Sequence, residues 1–183
     1  MGSLARYSRI EVSGRYQGQR QFLLDNISRD GRAGFEVLTP MRLDDGRTLL
    51  VNRGRVPLRD GERVQLPEVL LDTAVPAESR ISGRIDELPT AGLALGRAPP
   101  ATGSSWPKVT SFPTSAELSQ ALGLTVEPRQ LLLDADQPGG YRRDWQPANA
   151  AFGPERHMSY AVQWWSLAAL AATLLLVLNL RRV

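Results

Sequence analysis

Apolar and polar positions alternate in short runs over the first 135 residues and then give way to one long apolar block. Ile10, Val12 and Tyr16 share one parity, with Gly14 between them, and predict a strand. Phe22, Leu23 and Leu24 form a brief apolar run stopped by Asp25-Asn26. Phe35, Val37 and Thr39 alternate up to Pro40, Asp45-Gly46 marks a tight turn, and Thr48-Leu49-Leu50-Val51 follows. That order predicts a hairpin over 35–53. Ile81, Gly83 and Ile85 alternate again, and Leu131-Leu132-Leu133 is a compact strand before Asp134. One helix interrupts the series. Thr114 with Glu117 three positions on makes a capping box, Leu118 and Leu122 share a face, and Gly123 suits the left-handed position after the last turn. The spacing predicts a helix over 115–122 that packs on the sheet. The fold class is therefore mainly β (α+β): a small barrel- or sandwich-like domain with one short helix.

The apolar block changes the picture. From Met158 to Leu180 the chain carries no charge, and at 1.5 Å per residue it covers roughly 34 Å, enough to cross a bilayer core. It predicts a C-terminal transmembrane helix. Gly153, Pro154 and Glu155 supply a cap, a first helical residue and an acidic first turn, which puts Arg156 and His157 at the membrane surface. Arg142, Arg143 and Arg156 before the span nearly balance Arg181 and Arg182 after it, so the charge rule sets no orientation. The organisation read from this is a β-rich domain at 1–135, a membrane-proximal linker at 136–153, and the helix with its short basic tail at 154–183. The linker's Tyr141, Trp145 and Phe152 beside Arg142 and Arg143 suit either the headgroup layer or packing on the domain. Residues 89–107, rich in Pro, Gly and small side chains, read as a surface loop. A weak echo links Ser8-Arg9-Ile10 and Ser13-Gly14-Arg15 with Ser79-Arg80-Ile81 and Ser82-Gly83-Arg84. A second echo links Leu49-Leu50-Val51-Asn52 with Leu131-Leu132-Leu133-Asp134. Internal duplication and chance similarity between strands both account for them.

Composition then removes chemistries. The 183 residues carry 22 Lys+Arg against 19 Asp+Glu, a net charge of +3, and all of the bases but Lys108 are arginines scattered among acids. Nucleic-acid binding calls for a basic run or face, and none is seen. With no cysteine there is no thiolate metal site, thiol nucleophile or disulfide. A single histidine excludes sites that need two imidazoles. No phosphate-cradling glycine motif occurs, and acids such as Asp44-Asp45 sit in a turn.

His157 remains. It precedes Tyr160 and Trp164 by three and seven positions, so the three share one helical stripe. Neutral imidazole is a good axial ligand for haem iron, and an apolar macrocycle favours a site half in lipid. Arg156, Arg142 and Arg143 are candidates to pair with propionates, and Ala161, Ala168 and Ala172 keep one broad side of the helix small. An interfacial histidine within an aromatic belt is the plainer reading of the same residues.

The segment over 153–168, GPERHMSYAVQWWSLA, resembles the C-terminal signature of the surfeit-locus family of cytochrome c oxidase assembly factors: a His shortly before Tyr-Ala-x-Gln-Trp, here His157, Tyr160, Ala161, Gln163 and Trp164. Gly14-Arg15-Tyr16, the run GFEVLTP over 34–40, and LVNRGRVP over 50–57 agree in order and approximate spacing. The resemblance implies a non-enzymatic protein of the bacterial plasma membrane with its domain facing the periplasm. It further implies a role in maturing oxidase subunit I, with haem a as cargo and haem a synthase as a further partner. The implied haem-binding residues are His157, as iron ligand, with Tyr160, Trp164 and Arg156. A haem-free scaffold for subunit I and an extracytoplasmic ligand-binding domain are the alternatives. The family also places a first membrane helix ahead of the stretch over 7–16, where only six residues stand here. The expectation is a chain truncated at its start or begun late, holding half of any haem site built between two helices.

Overall fold

The computed structural model describes residues 5–29, 32–58, 66–69, 71, 75–91, 97–145 and 154–180, with side chains for all of these but 26–29, 32 and 154–157. Seven strands and two helices follow in the order β1 (Arg9–Tyr16), β2 (Phe22–Arg29), β3 (Arg32–Leu43), β4 (Thr48–Pro57), β5 (Glu78–Glu87), β6 (Lys108–Thr110), α1 (Ser115–Leu122), β7 (Val126–Leu133) and α2 (Pro154–Leu180). The sheet runs β1-β5-β7-β4-β3-β2-β6, and β1 also pairs with β3, which closes a barrel of five strands and leaves β2 and β6 as a flap on its side.

Closure depends on glycine. Along β1, Val12 pairs with Ile81 of β5, and Gly14 and Tyr16 pair on the other side with Leu43 and Met41 of β3. A Cβ on Gly14 would fall inside the contact radius of the Arg42 carbonyl, and one on Gly83 inside that of Leu132. Backbones cross there too closely for any side chain. The two echoing sequence pairs are adjacent strands: β1 lies antiparallel to β5, and β4 lies parallel to β7.

The hairpin expected over 35–53 is β3–β4, turned by Gly46 at φ +85° and held by the Asp45 carboxylate, which accepts from Arg47 N at 3.0 Å. Both faces of β4 are covered, which is why it reads as a continuous apolar run rather than an alternation. Leu49 and Val51 join Tyr16, Met41, Ile81, Ile85, Leu131 and Leu133 inside the barrel. Leu50 faces outward into a second cluster with Phe22, Leu24, Leu38, Leu118, Leu122 and Val126. The helix expected over 115–122 forms at those bounds. Its capping box has Thr114 N donating to Glu117 Oε2 at 2.8 Å, and Gly123 closes it at φ +69°.

Three elements depart from the sequence reading. Strand β2 does not stop at Asp25-Asn26: a register shift between Leu24 and Ile27 passes those residues through as a bulge. Strand β7 begins at Val126, ahead of the Leu131 run, because Pro128 falls in a gap of the β4 ladder and needs no donor there. Residues 108–110 form a short edge strand parallel to β2. The loop behind it is tied down, with Lys108 Nζ donating to Ala101 O at 2.6 Å and Gly103 O at 2.7 Å, and Trp106 set edge-on against Phe22. The chain falls into two compact units, Met1–Asp144 and Trp145–Val183, and Tyr141 and Arg142 are hydrogen-bonded to β4. Several of the scattered arginines pair with acids, as in Arg9–Asp134 at 2.9 Å and Arg97–Glu117 at 2.6 Å.

Glycine packing and helix capping should separate in a denaturant titration. Thr114→Ala is expected to lose about 1 kcal/mol. Gly83→Val is expected to lose about 3 kcal/mol, because its clash is with backbone.

Candidate functional site

The sequence-derived site lies on α2. The helix starts at Pro154, as the N-terminal signals imply, and its stretch Met158–Leu180 contains an 18-residue window of mean hydropathy 1.9 with none of that window buried. Backbone placement puts Arg156 and His157 in the first turn; their side chains lie outside the described residues. Tyr160 and Trp164 are exposed at 59% and 70%, one turn apart, and Ala161, Ala168 and Ala172 follow on the same broad side. The described part of this face is uncovered and made of small and aromatic side chains, a surface against which a flat apolar group could lie.

A second assembly, which the sequence reading passed over, lies inside the barrel unit. It grows from the middle of β4, where the polar run Asn52-Arg53-Gly54-Arg55 occupies a strand that is buried along most of its length. Asn52 donates from Nδ2 to Glu36 Oε2 at 2.7 Å and to Gln130 Oε1 at 3.1 Å, while its Oδ1 accepts from Gly54 N at 3.1 Å. Gln130 in turn donates to Glu87 O at 3.0 Å. Two amides thus tie β3, β4, β7 and the end of β5.

Arg53 is 2% exposed. Its Nε donates to Gly139 O at 2.6 Å, and one terminal nitrogen donates to Gln21 Oε1 at 2.9 Å and Thr39 Oγ1 at 3.4 Å. The guanidinium stacks over the Tyr141 ring at 5.1 Å. Gln21 is itself held, donating to the carbonyls of Gly18 and Val69 and accepting from Thr39. Burial pulls the Arg53 pKa down, although an arginine so placed remains a cation. Burial also pushes the Tyr16 phenol up to about 12, against the opposing pull of Arg53 and Arg143. Tyr141 therefore packs on the domain, and Trp145 is half-buried; Phe152 lies outside the described residues. The available signal was two arginines and an asparagine inside a strand otherwise reading as core.

These features define a closed β-barrel unit bearing a helix of membrane-spanning length. The model of the SURF1 family matches residues 2–169, and the chain belongs to that family. Uncharacterized SURF1-like proteins of Mycobacterium bovis and Mycobacterium tuberculosis are 30% identical over 168 residues, which is 91% of this chain. The chain spans 58% of the length of those relatives. No solved structure matches. The family is one of assembly factors associated with cytochrome c oxidase rather than of enzymes, and α2 fits a membrane-anchored protein. The runs over 34–40 and 50–57, which carry the likeness, meet in the barrel: Glu36 receives the Asn52 amide, and a Cβ on Gly34 would strike Val56 O.

Two outcomes follow from the buried assembly. Tyr16 is raised above the unfolded value of about 10, so its stabilising share is complete below pH 10 and is lost as pH climbs towards 12, up to about 3 kcal/mol. Denaturation midpoints measured from pH 9 to 12 should show that loss in the wild type, beyond any seen in Tyr16→Phe. Asn52→Asp sets a second carboxylate against Glu36 and is expected to cost about 3 kcal/mol at pH 7, with partial recovery on acidification.

Proposed function

We propose that the chain is a membrane-anchored assembly factor of the periplasmic face, which holds haem a transiently for insertion into subunit I of a haem-copper oxidase. The observation that carries this reading is the placement of the only histidine of the sequence in the first turn of a membrane-length helix whose face is open and aromatic. His157 would donate an imidazole nitrogen to the iron, and the bound group would supply the redox centre that the oxidase uses. Tyr160 and Trp164 would cover the macrocycle on the lipid side. Arg156 would answer the propionates at the surface. Family membership supports the oxidase context, and subunit I and haem a synthase are the partners that such a transfer requires: one receives the pigment and the other makes it.

A cargo protein must release what it carries. A single protein ligand at the edge of the bilayer suits that need better than a buried pair, because exchange onto the oxidase's own ligand then breaks one protein–iron bond. The barrel contributes no ligand in this reading. It presents a stable body outside the membrane and leaves the iron chemistry to the helix.

Co-expression of the full-length protein with haem a synthase, followed by visible spectra of the purified protein, tests the proposal. The wild type should carry the absorption of haem a, and His157→Ala should fall to background while the protein stays in the membrane fraction. Equal haem content in the two would eliminate the ligand role. A haem-free wild type that still co-purifies with subunit I would turn the reading to a scaffold.

A further inference from the structure

The strand ladder between β4 and β7 ends at Asn52 and Leu132, so beyond it the second half of β4 presents an open edge on that side. The chain leaving β7 turns back and covers that edge. Tyr141 N donates to Arg53 O at 2.7 Å, and Arg55 N donates to Arg142 O at 2.8 Å. From beneath, the buried Arg53 side chain grips the same segment through the Gly139 carbonyl and the Tyr141 ring. From within, Arg143 donates to Asp134 O at 2.6 Å, Gln137 O at 2.7 Å and Tyr141 O at 3.2 Å, which cinches 134–143 into a closed turn.

The backbone on both sides is shaped for this contact. Gly54 sits at φ +104°, and a Cβ there would strike Arg142 O. Gly139 sits at φ +71°, and a Cβ there would strike the Val75 side chain. A segment that merely rested on the barrel would not require glycine on each side of the contact.

We propose that residues 139–143 form a latch, with Arg53 as its positioning residue, that sets the length of the tether between the barrel and the membrane helix. Latched, the chain leaves the barrel at Asp144. Unlatched, it would leave at Leu133. At roughly 3.5 Å per extended residue, 145–153 reaches at most about 30 Å, whereas 134–153 would reach about 70 Å. The latch therefore caps the reach of the chain between the barrel and α2. The inference rests on reading α2 as a membrane anchor, and it does not depend on haem.

The full chain in phospholipid nanodiscs tests it with two readouts. Trypsin cleavage after Arg142 and Arg143 should quicken at least about tenfold in Tyr141→Ala and in Arg53→Met, the factor expected for losing a ring contact or a charged hydrogen bond. Cleavage after Arg15 and Arg84 should stay unchanged. Should Arg53→Met be cut faster everywhere, the barrel itself has opened, and Tyr141→Ala alone decides, because it leaves the Arg53 hydrogen bonds to Gln21, Thr39 and Gly139 in place. The second readout exploits the absence of cysteine: a dye on Asp44→Cys reports energy transfer to acceptors in the lipid headgroups. The distance distribution should be narrow in the otherwise wild-type chain and should broaden to longer values with Tyr141→Ala. Wild-type protease rates or an unaltered distribution in Tyr141→Ala would overturn the latch. Energy transfer absent from every variant would instead speak against the anchor and, with it, the tether.

Discussion

Burying a guanidinium is the constraint around which the barrel unit is arranged. Arg53 carries a charge that water would solvate well, and the fold encloses it at 2% exposure. The cost of that burial is offset only where acceptors are already in place. Gln21, just before β2, Thr39 on β3, and the Gly139 carbonyl with the Tyr141 ring come from three separate stretches of chain. None of them can move far without leaving the cation exposed or unsatisfied. The residue thus couples the barrel wall to the segment that leads away from it. Asn52 beside it performs the neutral version of the same task for β3 and β7.

Most of the local structure was legible because its causes are local. The capping box at Thr114 and Glu117 needs four consecutive residues, and the β3–β4 hairpin needs one turn glycine between two alternating runs. Uninterrupted membrane-length apolarity is equally plain in Met158–Leu180. What escaped depends on partners distant in sequence. Asp25-Asn26 looks like a stop until β3 absorbs it as a bulge, and Pro128 looks like a breaker until the β4 ladder skips it. The barrel's closure rests on a three-residue contact between β1 and the far end of β3, which leaves no periodic signal.

The candidate site divides along the same line. His157 could be picked out because it is the only imidazole and because helix spacing aligns it with Tyr160 and Trp164. The Arg53 assembly could not be picked out that way, since its members are ordinary polar residues brought together only by topology. The run over 50–57 drew notice through family likeness alone. The structure gives that likeness a physical content: these residues join β3 to β7 and hold the chain's exit. Stability and placement are concentrated in the barrel unit, and the proposed iron chemistry belongs to the helix. The two can therefore be varied separately.

A chain with a single histidine permits an unusually direct measurement. Growth on histidine labelled with nitrogen-15 in the ring marks one side chain of this protein. Electron–nuclear double resonance of the purified protein carrying ferric haem a should then show a nitrogen-15 coupling of axial-ligand strength, and the same preparation with unlabelled histidine should show the nitrogen-14 pattern in its place. A haem-loaded protein whose spectrum is indifferent to the label would mean that iron is bound elsewhere, and the account of His157 would be contradicted.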